Sequence, residues 1–140
     1  EARGNFDRCV LQATPREIRI INFALANDTE AGPVSRWSSQ PLDESSRSTP
    51  SLTHVSAAGS KAAAVCHHDA RTHLHALTWG ASGISCLCTM PLEEQVSAIT
   101  IWCPEVTCDS FYIALSTWGP DYCVKVIRAS SVTHGTHTLQ

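Results

Sequence analysis

The spacing of apolar residues changes rhythm along the chain. "CVLQA" (Cys9 to Ala13) reads as a short strand. In "TPREIRIINFALAN", Thr14 can cap, Pro15 suits a first helical turn and Glu17 completes an S/T-x-x-E box. Ile18, Ile21 and Leu25 then share one stripe at i, i+3, i+7, which predicts a helix. Ile20 and Phe23 lie off that stripe, so the helix is buried on two sides or is in truth a strand. Residues 28–59 show no apolar period. "SSQPLDESSRSTPS" is Ser, Pro and charge, and predicts a long surface loop anchored by Trp37.

A second helix is expected over "AAAVCHHDARTHLHALTWG" (Ala62 to Gly80). Ser60 is a good cap and Gly80 a good stop, while Ala63, Cys66, Ala70, Leu74 and Leu77 fall on one helical face. Past Gly80 the period drops to two. "GISCLCTM", "SAITIWC", "SFYIALSTW" and "YCVKVIRAS" are rich in β-branched and aromatic residues and separated by turn residues. They predict four sequential antiparallel strands, joined through "PLEEQ" and "WGPDY". Residues 131–140 read as a polar tail. One echo links "HLHALTWG" to "FYIALSTWG", about forty residues on, a spacing seen between propeller blades. Its two copies fall in a helix and a strand, so it is read as coincidence.

The fold expected is one α+β domain over residues 1–140, a two-layer sandwich of two helices on a four- to five-stranded antiparallel sheet. An all-β sandwich follows instead if either helix is a strand.

Composition adds a compartment. Charged residues make up 16% of the chain, below the roughly 25% typical of soluble domains. The formal net charge is −3 with no Lys/Arg cluster, which argues against a nucleic-acid partner. No apolar run approaches the roughly 18 residues of a membrane-spanning helix. The chain begins at Glu1 rather than Met and reads as processed or trimmed. Seven cysteines, thin charge and the glycosylation sequon at Asn27 predict a secreted, disulfide-bonded glycoprotein. Three bridges and one odd thiol are expected, the odd one available for pairing between chains. Cys103 and Cys108 bracket one hairpin loop and should pair; the other bridges lie among Cys9, Cys66, Cys86, Cys88 and Cys123. Cys86 and Cys88, two apart on a strand, should share a face and seek separate partners.

Candidate chemistry is thin. His67, His68, His73 and His75 crowd one segment, yet none is four residues from another, the helical spacing zinc favours. On a strand, His73 and His75 would share a face, and Cys66 could join them as a weak metal set. Solvated imidazoles on a helix face are the favoured reading, with a pH response as their consequence. G-x-S-x-G and Gly-rich phosphate loops are absent. Glu105, Arg128 and His134 form the one set resembling a small ribonuclease site. Of Trp37, Trp79, Trp102 and Trp118, at least three are expected at core edges, with any exposed one able to stack on a sugar or anchor a protein interface.

No cofactor is implied, and catalysis is not favoured. The leading expectation is a secreted toxin- or effector-type virulence protein, binding a protein, glycan or membrane-associated target outside the producing cell. Small disulfide-bonded α/β sandwiches of fungal virus-encoded killer toxins and secreted plant-pathogen effectors are similar in architecture alone. A small secreted hydrolase and a carbohydrate-binding module are the alternatives.

Overall fold

The computed structural model describes residues 9–22, 33–40, 48–80, 83–104, 109–119, 123–130 and 135–139. Every regular element among them is a strand: β1 (Cys9–Ala13), β2 (Ile18–Asn22), β3 (Pro33–Trp37), β4 (Ser51–Ala58), β5 (Lys61–His68), β6 (Arg71–Gly80), β7 (Gly83–Leu92), β8 (Gln95–Trp102), β9 (Ser110–Trp118), β10 (Val124–Ser130) and β11 (Gly135–Leu139). Hydrogen bonding collects them in chain order into three antiparallel meanders, β1-β2-β3, β4-β5-β6-β7 and β8-β9-β10-β11. The α+β expectation is therefore overturned: the chain is all-β among its described residues.

Neither expected helix forms among the described residues: the first is a turn followed by β2, with Phe23 and Leu25 outside the described residues, and the second is a hairpin, each for a physical reason. In the first, Thr14 does the capping its sequence promised, but for a turn. Its hydroxyl accepts from the amides of Arg16 and Glu17 and donates to the Glu17 carbonyl, closing the loop between Ala13 and its partner Ile18. Side chain-to-backbone bonds of this kind serve turns as well as helix starts. Glu17 then pairs with Arg19 rather than reaching back to the cap.

In the second, β5 and β6 are the middle strands of the central sheet and are covered on both faces. Ala62, Ala63, Ala64, Val65 and Cys66 are all buried in succession, as are Thr72 through Leu77. A strand buried on both faces loses the alternation that reveals a strand, and reads as a continuous apolar run. The hairpin turns at Asp69 and Ala70, both at positive φ (48° and 61°), as a two-residue type I′ turn requires. "DA" lacks the glycine that usually marks such a turn. Within the segment expected as loop, β3 and β4 form; within the expected tail, β11 does.

The sheets stack face to face with two separate cores. Between the central and last sheets lie Ala63, Val65, Leu74 and Ala76 against Val96, Ile101, Phe111, Ile113, Leu115, Ile127 and Ala129. Between the first and central sheets, Ile18 packs on Ala62, Ala64 and Leu77, flanked by Leu11, Trp37, Leu52, Val55, Trp79 and Ile84. Gly83 marks a close approach of β3 to β7. Its φ is +116°, a Cβ there would lie 2.9 Å from Ser35 Oγ, and that hydroxyl accepts from the Ile84 amide.

The disulfide framework is also overturned. Cys9, Cys66, Cys86, Cys88, Cys103 and Cys123 are free thiols; Cys108, the expected partner of Cys103, lies outside the described residues. A register shift in the β6–β7 ladder leaves Cys86 opposite Leu77 but Cys88 opposite Ala76. Cys88 therefore joins the core against the last sheet, while Cys86 turns toward the first-sheet side with Leu77. The expectation that the two share a face fails at this bulge. With two apolar cores, a chain of this size needs no staples.

Candidate functional site

The β5–β6 hairpin sorts the four clustered histidines between two environments. Register places Cys66 opposite His73 and Ala64 opposite His75, all on the face toward the first sheet. His67 and its partner Thr72 take the opposite face.

On the first-sheet face, His75 is buried and hydrogen-bonded at both ring nitrogens. Nε2 lies 3.2 Å from Ser39 Oγ, Nδ1 lies 2.9 Å from Thr89 Oγ1, and Trp37 meets the ring edge-on at 5.1 Å. Burial, reinforced by His73, pushes its pKa down to about 4, so the imidazole is neutral at pH 7. Burial, then Arg71 and His68, lowers His73 as well. Burial pushes the Cys66 thiol up to about 11, against the opposing hydrogen bond to Ser39. A serine, an imidazole and a hydroxyl in line resemble a nucleophile, base and orienter. Here the imidazole is 6% exposed, both its ring nitrogens are already engaged, and burial holds its pKa down. The arrangement satisfies a buried polar side chain.

Cys66, His73 and His75 do share a face, but no group of three or more His, Cys, Asp or Glu among the described residues is placed to hold a metal ion. Arg128 stands exposed on β10 and donates to Ser110 Oγ across 3.4 Å. The other members of its proposed set, Glu105 and His134, lie outside the described residues, as does Asn27.

The other face opens on a cleft of about 310 Å³ at the edge of the central and last sheets. Ser51, Thr53 and His54 of β4, His67 of β5, Thr72 of β6, and Gln95 and Val96 of β8 line it. Four hydroxyls or amides, two imidazoles and one apolar side chain converge there, with no carboxylate, lysine or arginine.

Both imidazoles are held from behind. Thr53 Oγ1 donates to the Val65 carbonyl at 3.2 Å, so toward His54 Nδ1, 3.1 Å away, it can only accept. That assigns the proton of neutral His54 to Nδ1 and leaves Nε2 as an acceptor. His67 Nδ1 is likewise tied to Thr72 Oγ1 at 3.3 Å. A register shift between Leu52 and His54 turns His54 to this face, opposite Val65. Sequence reasoning missed His54, Ser51, Thr53, Thr72 and Gln95 as a group. "SLTHVSAA" could have been read as a strand, but nothing local to it or to "PLEEQ" says that they meet.

The tryptophans divide evenly, against the expectation of three at core edges. Trp37 and Trp79 flank the core between the first and central sheets, whereas Trp102 (43% exposed) and Trp118 (65%) stand on the outer face of the last sheet. Trp102 stacks on Tyr112 with ring centres 5.1 Å apart and planes 15° from parallel. Rings stacked on each other cannot both lie flat beneath successive sugar units.

No protein-family model matches the chain, and no curated protein matches it.

Proposed function

We propose that the protein is a carbohydrate-binding module, non-enzymatic, whose ligand is a small neutral sugar seated in the cleft between the central and last sheets. One observation carries the reading: the cleft is lined by uncharged hydrogen-bonding side chains with His54 and His67 each fixed through Nδ1. A polyhydroxylated ligand offers donors to the imidazole acceptor and both donors and acceptors to Gln95, Ser51 and Thr72. Val96 supplies an apolar contact for a C–H face. About 310 Å³ is at the small end of ligand pockets and suits one sugar ring rather than a chain. Fixing the rings beforehand lowers the ordering cost of binding. Exposed tryptophan, the sequence feature that first suggested sugar binding, lies elsewhere and is not part of this site.

The free thiols remove the disulfide framework that supported a secreted, effector-type protein.

Calorimetry against free neutral and anionic monosaccharides tests the proposal. A neutral sugar is expected to bind, and His67→Ala or Gln95→Ala to weaken it about tenfold or more, ~1.4 kcal/mol. No binding by any neutral sugar, or binding unaltered in both variants, would contradict it.

A further inference from the structure

We infer that the ligand is a glycoside with an apolar aglycone, its sugar ring in the cleft between the central and last sheets and its aglycone in a second cleft across β4. The inference rests on the sugar reading of the first cleft and names the class of sugar derivative that the two clefts fit together.

The second cleft, also of about 310 Å³, lies between β4 and the end of β1 with the turn that follows it. Thr53 and His54 line both clefts, so the two share a wall. The register shift between Leu52 and His54 creates that wall. Leu52 stands opposite Cys66 and Val55 opposite Ala64, on the side of the first sheet. His54 stands opposite Val65, on the side of the last sheet. β4 is an edge strand of the central sheet, and among the described residues no hydrogen-bonded strand lies beyond it. A ligand can therefore pass from one cleft to the other over the edge of β4 at Thr53 and His54.

The two clefts differ in what they offer. In the second, the hydroxyls are already bonded. Thr14 Oγ1 accepts from the amides of Arg16 and Glu17 and donates to the Glu17 carbonyl. Thr53 Oγ1 donates to the Val65 carbonyl and accepts from His54 Nδ1. Pro15 has no amide proton, and its carbonyl accepts from the Leu52 amide at 2.7 Å. The other walls are apolar: Ala13 and Pro15 are exposed, Leu52 and Val55 half-buried. A second sugar ring would lose water there and find few side-chain partners for its hydroxyls, which is costly. An aromatic or short alkyl group has no hydroxyls to satisfy and is held by the apolar area it buries. One ligand is thus divided by polarity, with the hydroxylated ring on one side of β4, the aglycone on the other and the glycosidic oxygen above the shared wall.

Calorimetry of the 140-residue chain with the methyl and phenyl glycosides of glucose, galactose and mannose, each anomer in turn, tests this. The methyl glycoside keeps the ring and the linkage and omits the aromatic group. For a sugar that binds, the phenyl glycoside is expected to bind about tenfold tighter than its methyl counterpart. Ala13→Asp places a carboxylate in the apolar cleft at an exposed position, and circular dichroism confirms its fold. It should bring the phenyl glycoside down to the affinity of the methyl glycoside. His67→Ala, in the first cleft, should weaken both glycosides by the same factor. Equal affinity for methyl and phenyl glycosides in the wild type would overturn the aglycone cleft while leaving the sugar reading in place. So would a phenyl advantage that persists in Ala13→Asp. Binding of no free sugar and no glycoside would overturn both readings.

Discussion

At the scale of single residues, the buried imidazoles set the pH response. His75 has a folded pKa of about 4 against about 6.5 when unfolded, and His73 is shifted the same way. A histidine depressed by folding favours the native state only while it stays neutral. Stability is therefore full above about pH 6.5 and is lost as the unfolded chain takes up protons between there and about pH 4. The loss from His75 is on the order of 3 kcal/mol. Urea unfolding at pH 7.5, 6, 5 and 4 should show this slope, and His75→Leu should flatten it; an equal slope in the variant would place the proton uptake elsewhere. Thiol reactivity is a second consequence. Cys86 is exposed, whereas Cys66 is buried with its pKa raised to about 11. Brief alkylation of the native protein at pH 8 should label Cys86 early and Cys66 only after unfolding, as read by peptide mass mapping.

At the scale of elements, the β5–β6 turn is the most testable local feature. Ala70 occupies φ +61°, a left-handed conformation that costs a residue with a Cβ about 1–2 kcal/mol. Ala70→Gly should therefore raise the melting temperature by a few degrees, the gain from relieved strain exceeding the entropy that glycine adds. Ala70→Val should lower it. This turn also shows why the segment carries a helical pattern. "DA" carries no glycine, and the alanines and leucines around it serve two cores at once, so a helical stripe and a doubly buried hairpin leave the same trace. The last third was legible as strands because β8 and β9 bury one face each and alternate. Thr14 was legible as a cap, though not as a cap of what. The cleft was not legible, because it joins β4, β5, β6 and β8 through register and a bulge, neither of which is written locally.

At the scale of the whole molecule, the described residues form a series of three sheets, and the central one contributes to both cores. Its unequal cores imply unequal stability. The larger cluster joins the central and last sheets, and the smaller one holds the first. Sub-global opening should begin with β1–β3 and leave the other two sheets paired. The cleft between the central and last sheets lies on the side of the larger cluster, so its walls are expected to stay fixed while the first sheet opens. The measurement that tests this account most directly is residue-resolved amide hydrogen exchange at neutral pH. The slowest amides are expected in β5 and β6, those of β8 and β9 next, and those of β1 and β2 well ahead of all of them. Amides of β5 and β6 exchanging as fast as those of β1 would contradict the doubly covered central sheet, and with it the cleft built on its edge.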